Sequence, residues 1–228
     1  MYVNTSGIVL REVQYTDTSK ILTILTSSEG KLTVSAHGAH RKNSKLAAVT
    51  GLLVFSEMTL QKKKDRWTMT EARTVEQFLG LREDIKLLAL GAYIAELTEA
   101  VADEDSPNPE LLPLCLNALY ALSENIKAPE YVKPAFELRL MAISGFEPLL
   151  NQEGTQGDGS LVSMEDGVLS LSSGALCAAD YILSCDAKKL FSFTLSDNAL
   201  RELSRKTEDY LLAHLDRTFR TLDYYHKV

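Results

Sequence analysis

Cysteine is scarce in this 228-residue chain. Its three copies, Cys115, Cys177 and Cys185, are odd in number and widely spaced, which excludes a disulfide framework. They make no zinc set either: there is no C-x-x-C and no paired Cys/His cluster. In a predicted helix, Cys177 and Cys185 would lie about 12 Å apart along the axis at 1.5 Å per residue, too far to share one ion. All three read as small core side chains. No run approaches the ~18 apolar residues of a membrane span. Met1 to Ser6 lacks a basic start followed by an apolar stretch, so secretion is not expected, and a cytoplasmic protein is. Gly and Pro are few, and no repeat or low-complexity segment is present. A phosphate-cradling P-loop and a G-x-S-x-G elbow are both missing, so no catalytic residue stands out. The carboxylates Glu96, Glu99, Asp103, Glu104 and Asp105 read as a solvated helix end, with a metal-dependent nuclease as the enzymatic alternative.

What is there is an uneven division of charge. The whole chain carries −7. Through Gly80, however, 11 Lys and Arg face 7 Asp and Glu, whereas the remainder holds 13 against 24. A positive front on an acidic body points to different partners for the two parts.

Hydropathy patterning divides the chain at the same place. Residues 5–14, 19–26 and 30–37 read as short strands, with Ser28-Glu29-Gly30-Lys31 supplying turn chemistry between the second and third. Two longer strands, about 51–61 and 66–76, are joined by Lys62-Lys63-Lys64-Asp65. Five strands with short turns predict an antiparallel barrel of the OB type over 1–80. After Gly80 the period becomes helical, with helices over 81–101, 110–124, from Pro129 to near Gly145, 173–185 and 196–214. Pro134 suits a first helical turn better than an interior. Residues 147–172 carry four glycines and little periodicity, which reads as an irregular insert or small hairpin with Leu161-Val162 and Val168-Leu169 as its strands. The expected architecture is thus α+β, a barrel followed by an α-helical domain over 81–228 with a small irregular insert.

Cations sit where the barrel should turn: Arg41, Lys42 and Lys45 in one loop, Lys62, Lys63, Lys64 and Arg66 at one hairpin, with Lys20 and Lys31 on the second and third strands. Such barrels bind single strands with cations on phosphates and aromatics on bases. Trp67, the sole tryptophan, is either a base-stacking platform or core. His37 and His40 are bystanders or phosphate contacts. On the third helix, Phe136, Leu140 and Ile143 share one face, with Lys133 a turn before Phe136 and Arg139 nearby. They are core with solvated cations, or a groove for an acidic-hydrophobic peptide tail.

Several stretches resemble the bacterial recombination mediator family RecO. They are Gly7-Ile8-Val9-Leu10, Tyr15 to Thr23, Glu29-Gly30-Lys31 and the glycine-basic loop Gly38 to Lys45. Leu81-Arg82-Glu83-Asp84, Ala92 to Leu97 and Phe136 to Pro148 resemble the family's helical core. The resemblance implies an OB barrel, a helical domain and a small zinc-binding insert. It also implies binding to single- and double-stranded DNA, annealing of complementary strands, and work with RecR to load RecA on strands covered by single-stranded DNA-binding protein (SSB). The C-terminal tail of SSB would bind the helical domain, in the groove of Lys133, Phe136, Arg139 and Leu140. Many relatives carry four zinc-binding cysteines where this chain has Asn151 to Gly157, so the zinc site is read as lost and no cofactor is expected. A protein-binding adaptor that touches no nucleic acid is the other alternative.

Overall fold

Five runs rich in apolar and β-branched residues build the first strands, the apolar side chains of alternate positions turning to the barrel interior. A computed structural model describes residues 1–41, 44, 46–153 and 167–228. Its strands are β1 (Tyr2–Gln14), β2 (Lys20–Thr26), β3 (Gly30–Ala36), β4 (Phe55–Lys63) and β5 (Arg66–Glu76). They close in the order β1-β2-β3-β5-β4. All neighbours are antiparallel except β3 and β5, which run parallel over Val34–Trp67 and Ser35–Thr68. That short parallel seam closes the barrel, so the expected barrel is present but not wholly antiparallel. A bulge between Val9 and Arg11 lets the long β1 bend to pair with both β2 and β4.

The inward-facing residues form one core: Val9 from β1, Leu22 and Ile24 from β2, Leu32 and Val34 from β3, Met58 and Leu60 from β4, Trp67 and Met69 from β5. Fully burying each such side chain contributes about 1.5–3 kcal/mol. Helix α1 (Ile85–Val101) follows, its first turn capped by the Asp84 carboxylate accepting from the Lys86 N–H. It packs against β1. Its end is tied down by backbone bonds from the Lys31 N–H to Asp103 O (3.1 Å) and from the Asp105 N–H to Lys31 O (3.4 Å).

Contacts divide the chain into two units, Met1–Leu119 with Thr221–Val228, and Tyr120–Arg220. The division falls inside helix α2 (Leu111–Ser123), and α1 lies with the barrel in the first unit. The terminal α6 (Arg220–Tyr225) joins the first unit from Thr221 onward, where the Glu96 carboxylate accepts from the Thr221 N–H (3.2 Å) and hydroxyl (2.5 Å).

The second unit is built on α3 (Pro129–Ile143), α4 (Ser173–Ser184) and α5 (Asp197–Leu215), with α3 packed against both others. Pro134 lies inside α3 and not in its first turn; the helix forgoes one backbone donor there and is held by its burial. The insert differs from a hairpin. Strands β6 (Leu149–Gln152) and β7 (Val168–Leu171) pair in parallel, and Leu161-Val162 lies outside the described residues. Cys115 is buried, which pushes its thiol pKa up to about 12, whereas Cys177 is exposed on α4 and is not the core side chain expected.

Candidate nucleic-acid interface

The β4–β5 hairpin places four cations within five residues, and strand alternation gives them different tasks. Leu60 and Lys62 share the inward phase of β4, and Lys62 Nζ lies over the Trp67 ring, 4.9 Å from its centroid. Lys63 and Arg66 face each other on the outward phase, with Lys64 and Asp65 forming the turn. Lys63, Lys64 and Arg66 are exposed, and no ion pair engages them among the described residues. Lys64 adopts φ 54°, a left-handed conformation that costs a non-glycine residue about 1 kcal/mol. Trp67 itself is 5% exposed and belongs to the barrel core. The base-stacking reading of Trp67 is therefore corrected: the ring is packed inside, with Lys62 over it.

The remaining cations of the first unit are not alike. Lys20 pairs with Glu12 and donates to Thr50 O at 3.4 Å. Lys31 Nζ donates to Glu99 O at 3.0 Å, at the end of α1. Both are engaged within the protein, unlike the hairpin cations. Arg11 pairs with Glu99 at 2.9 Å and reaches the Thr23 hydroxyl, and Arg73 pairs with Glu57 at 2.7 Å. Arg41 is exposed, in a loop held to the β1–β2 turn by the His40 N–H donating to Thr18 O. Lys42 and Lys45 lie outside the described residues. The register separates the two basic sets: the hairpin turn precedes the Val34–Trp67 pair on β5, and the basic loop follows it on β3.

Two faces of the barrel differ in access. On β2 the outward-facing Thr23 and Leu25 are buried, and Arg11 and Lys31 bind Glu99 of α1 beside them. The segment after α1 presses so close that a Cβ on Gly30, at φ +71°, would meet the Ser106 backbone at 2.4–2.7 Å. The outer face of β1, β4 and β5 is open. It carries a groove of about 520 Å3 lined by Asn4, Thr5, Glu57, Met58, Thr59, Glu71, Ala72 and Arg73. The sequence pointed to cations and to the one tryptophan; the tie of α1 to β3 depends on contacts some 70 residues apart and left no local signal.

On α3 the expected peptide groove is absent. Phe136 and Leu140 are fully buried, and Lys133 is 2% exposed. Its ammonium sits between Glu137 (2.8 Å) and Glu208 (2.6 Å). Burial works against that ammonium, but the two carboxylates outweigh it and hold its pKa above the usual lysine value. Arg139 donates to Cys185 O and lies 3.5 Å from its Sγ. These residues tie α3 to α5 and to the end of α4, and their apolar members are core, as their spacing also allowed.

Metal chemistry fares no better. Among the described residues no three His, Cys, Asp or Glu side chains come together. From Leu149 to Leu176 the sequence contains neither Cys nor His. The residues present do not fit the zinc ion that the family resemblance implies for this insert. Two of the acidic residues at the end of α1 are engaged, Glu99 with Arg11 and Glu96 with Thr221. Among the described residues, no helix is long and apolar enough to cross a membrane.

A closed five-stranded barrel with this strand order, carrying a basic hairpin and followed by helices, defines an OB-fold protein with an appended helical domain. Residues 1–78 match the family model described as recombination protein O N terminal, and residues 82–223 match recombination protein O C terminal. A DNA repair protein RecO of Acetivibrio thermocellus is 32% identical over 98% of this chain and 96% of its own length. The corresponding protein of Alkaliphilus metalliredigens is 30% identical over the full length of both. That of Bacillus subtilis is 34% identical over 66% of this chain and 59% of its own. The chain belongs to the RecO family of DNA repair proteins.

Proposed function

We propose that this protein binds single- and double-stranded DNA through its barrel, anneals complementary strands and acts as a recombination mediator. The observation that carries the reading is the β4–β5 hairpin, where Lys63, Lys64 and Arg66 stand exposed without ion-pair partners among the described residues. The other cations of β1 to β3 are paired within the protein. Phosphates neutralised at the hairpin release counterions, which gives sequence-tolerant affinity that falls with salt. Annealing follows when two strands, each screened by such contacts, are held together long enough for bases to find their complements.

Work with RecR, with the C-terminal tail of SSB and, indirectly, with RecA is supported by family membership. The buried state of Lys133, Phe136 and Leu140 means that a partner tail would have to use another surface than that face of α3. The proposed action is non-enzymatic and takes place in the cytoplasm, at the nucleoid. The test combines fluorescence anisotropy on labelled strands with annealing of complementary oligonucleotides, with Mg2+ and without, and with full-length or tail-deleted SSB. Salt-sensitive binding, faster annealing and intact strands support the proposal. No binding at low salt would leave the protein-adaptor alternative, and strand cleavage in Mg2+ would leave the nuclease.

A further inference from the structure

The outer face of the hairpin carries an aromatic ring that charge patterning gave no reason to notice. Tyr2 opens β1, and its side chain is 65% exposed. Val3 turns inward onto the barrel core, so Tyr2 and Asn4 point outward on the open face. The antiparallel register sets Tyr2 directly across from Gln61, and Gln61 across from Thr68. Gln61 Nε2 donates to the Tyr2 hydroxyl at 2.5 Å.

The next row toward the turn holds Lys63 and Arg66, facing each other across β4 and β5. Two strand residues span about 7 Å. The row on the other side of Tyr2 holds Asn4 and Thr59, bonded at 2.9 Å, where the open groove begins. Three rows therefore follow one another along a single face: two cations, an exposed aromatic ring, and the bonded Asn4–Thr59 pair with Glu71 across from Thr59.

We propose that Tyr2 is a base-stacking residue for single-stranded nucleic acid. A phosphate sits on Lys63, Lys64 and Arg66, the adjoining base lies on the Tyr2 ring, and the strand continues over Asn4 and Thr59. Glu71, across from Thr59, and Glu57, paired with Arg73, line the groove from that row on, so that stretch suits bases and sugars and not phosphates. Stacking needs an unpaired base, because in a duplex both faces of each base are already covered. Tyr2 thus gives the face a preference for single strands that the cations alone do not supply. The inference rests on the proposal that the hairpin binds DNA.

The probe is a dye-labelled thymidine oligonucleotide, read by anisotropy beside a duplex, for the full-length protein and its Tyr2→Ala and Tyr2→Phe variants. One stacked base is worth about 5- to 100-fold in affinity. Tyr2→Ala is expected to weaken single-strand binding within that range, to leave the salt slope unchanged and to leave duplex binding as it was. Tyr2→Phe keeps the ring and should bind like the parent. Tyr2→Ala binding the oligonucleotide as tightly as the parent would overturn the stacking role, and so would Tyr2→Phe losing as much as Tyr2→Ala. A parent protein that binds no oligonucleotide at low salt overturns the hairpin reading first. Photocrosslinking of a bromouracil-containing strand, with the adduct mapped to Tyr2 or elsewhere, gives an answer independent of affinity.

Discussion

Replacing Lys133 by methionine is the substitution whose cost the structure fixes most sharply. Lys133 and Glu137 are 2% and 0% exposed, one turn apart on α3, and Glu208 of α5 completes the triad at 20% exposure. The triad holds two carboxylates and one ammonium. Taking the ammonium away deprives the fully buried Glu137 of the Lys133 charge, and breaking a buried pair from one side costs about 3–5 kcal/mol. A domain's whole stability is about 5–15 kcal/mol. The second unit spans about a hundred residues, for which 1 kcal/mol moves Tm by about 4–8 °C, so Lys133→Met should lower its melting point by 12 °C or more. Urea denaturation followed by circular dichroism measures the loss directly.

Two further outcomes separate this mechanism from simple misfit. Lys133→Met combined with Glu137→Leu removes both buried charges and should be more stable than the single variant. In the single variant, protonating Glu137 would remove its uncompensated buried charge. The protonated form is then favoured by folding, so the deficit should shrink as the pH falls toward the unfolded carboxylate pKa of about 4.3. In the parent, the raised pKa of Lys133 means that its contribution is full below the unfolded lysine value and is lost as the pH rises through the folded one. A single variant losing under about 1 kcal/mol, with no pH dependence, would refute the reasoning.

Two other expectations concern the backbone and the acid limb. Gly30→Ala should destabilise the first unit severely, because the new Cβ meets the Ser106 backbone; Gly167→Ala, also at positive φ but with nothing within 4 Å, should cost only the conformational penalty of about 1–2 kcal/mol, as thermal melts of the two would show. Burial opposes the Glu202 carboxylate, but the Ser172 hydroxyl and N–H and the Lys206 charge hold its pKa below the usual value. Its stabilising effect is therefore present above about pH 4.5 and lost as the pH falls through the lowered value, so Glu202→Gln should flatten stability against pH on the acid side.

Local chemistry made much of this molecule readable in advance. The apolar, β-branched run Ile21 to Leu25, the turn at Ser28 to Lys31 and the Lys62 to Asp65 hairpin each specify structure within a few residues, and the strands lie close to where they were expected. The burial of Lys133 was not readable, because Glu208 is 75 positions away and a lysine on a helix face is usually solvated. Trp67 stayed open from sequence because inward and outward positions alternate, and only the register with Val34 decides the side. The parallel pairing of β6 with β7 was hidden for the same reason, since strand direction depends on what lies between. At the candidate site, the sequence marked the hairpin cations, but it could not separate free Lys63, Lys64 and Arg66 from engaged Lys20 and Lys31. That distinction is made by Glu12, Thr50 and Glu99, which only folding brings near.

The central claim is that the β4–β5 hairpin meets the DNA backbone, and the salt dependence of single-strand binding tests it most directly. Each lost phosphate contact lowers the slope of log affinity against log salt by about 0.7. Replacing Lys63, Lys64 and Arg66 together by glutamine should reduce that slope by about 2, so that over a fourfold rise in salt the variant's affinity falls about 20-fold less than the parent's. An unchanged slope and affinity in the triple variant would contradict the claim.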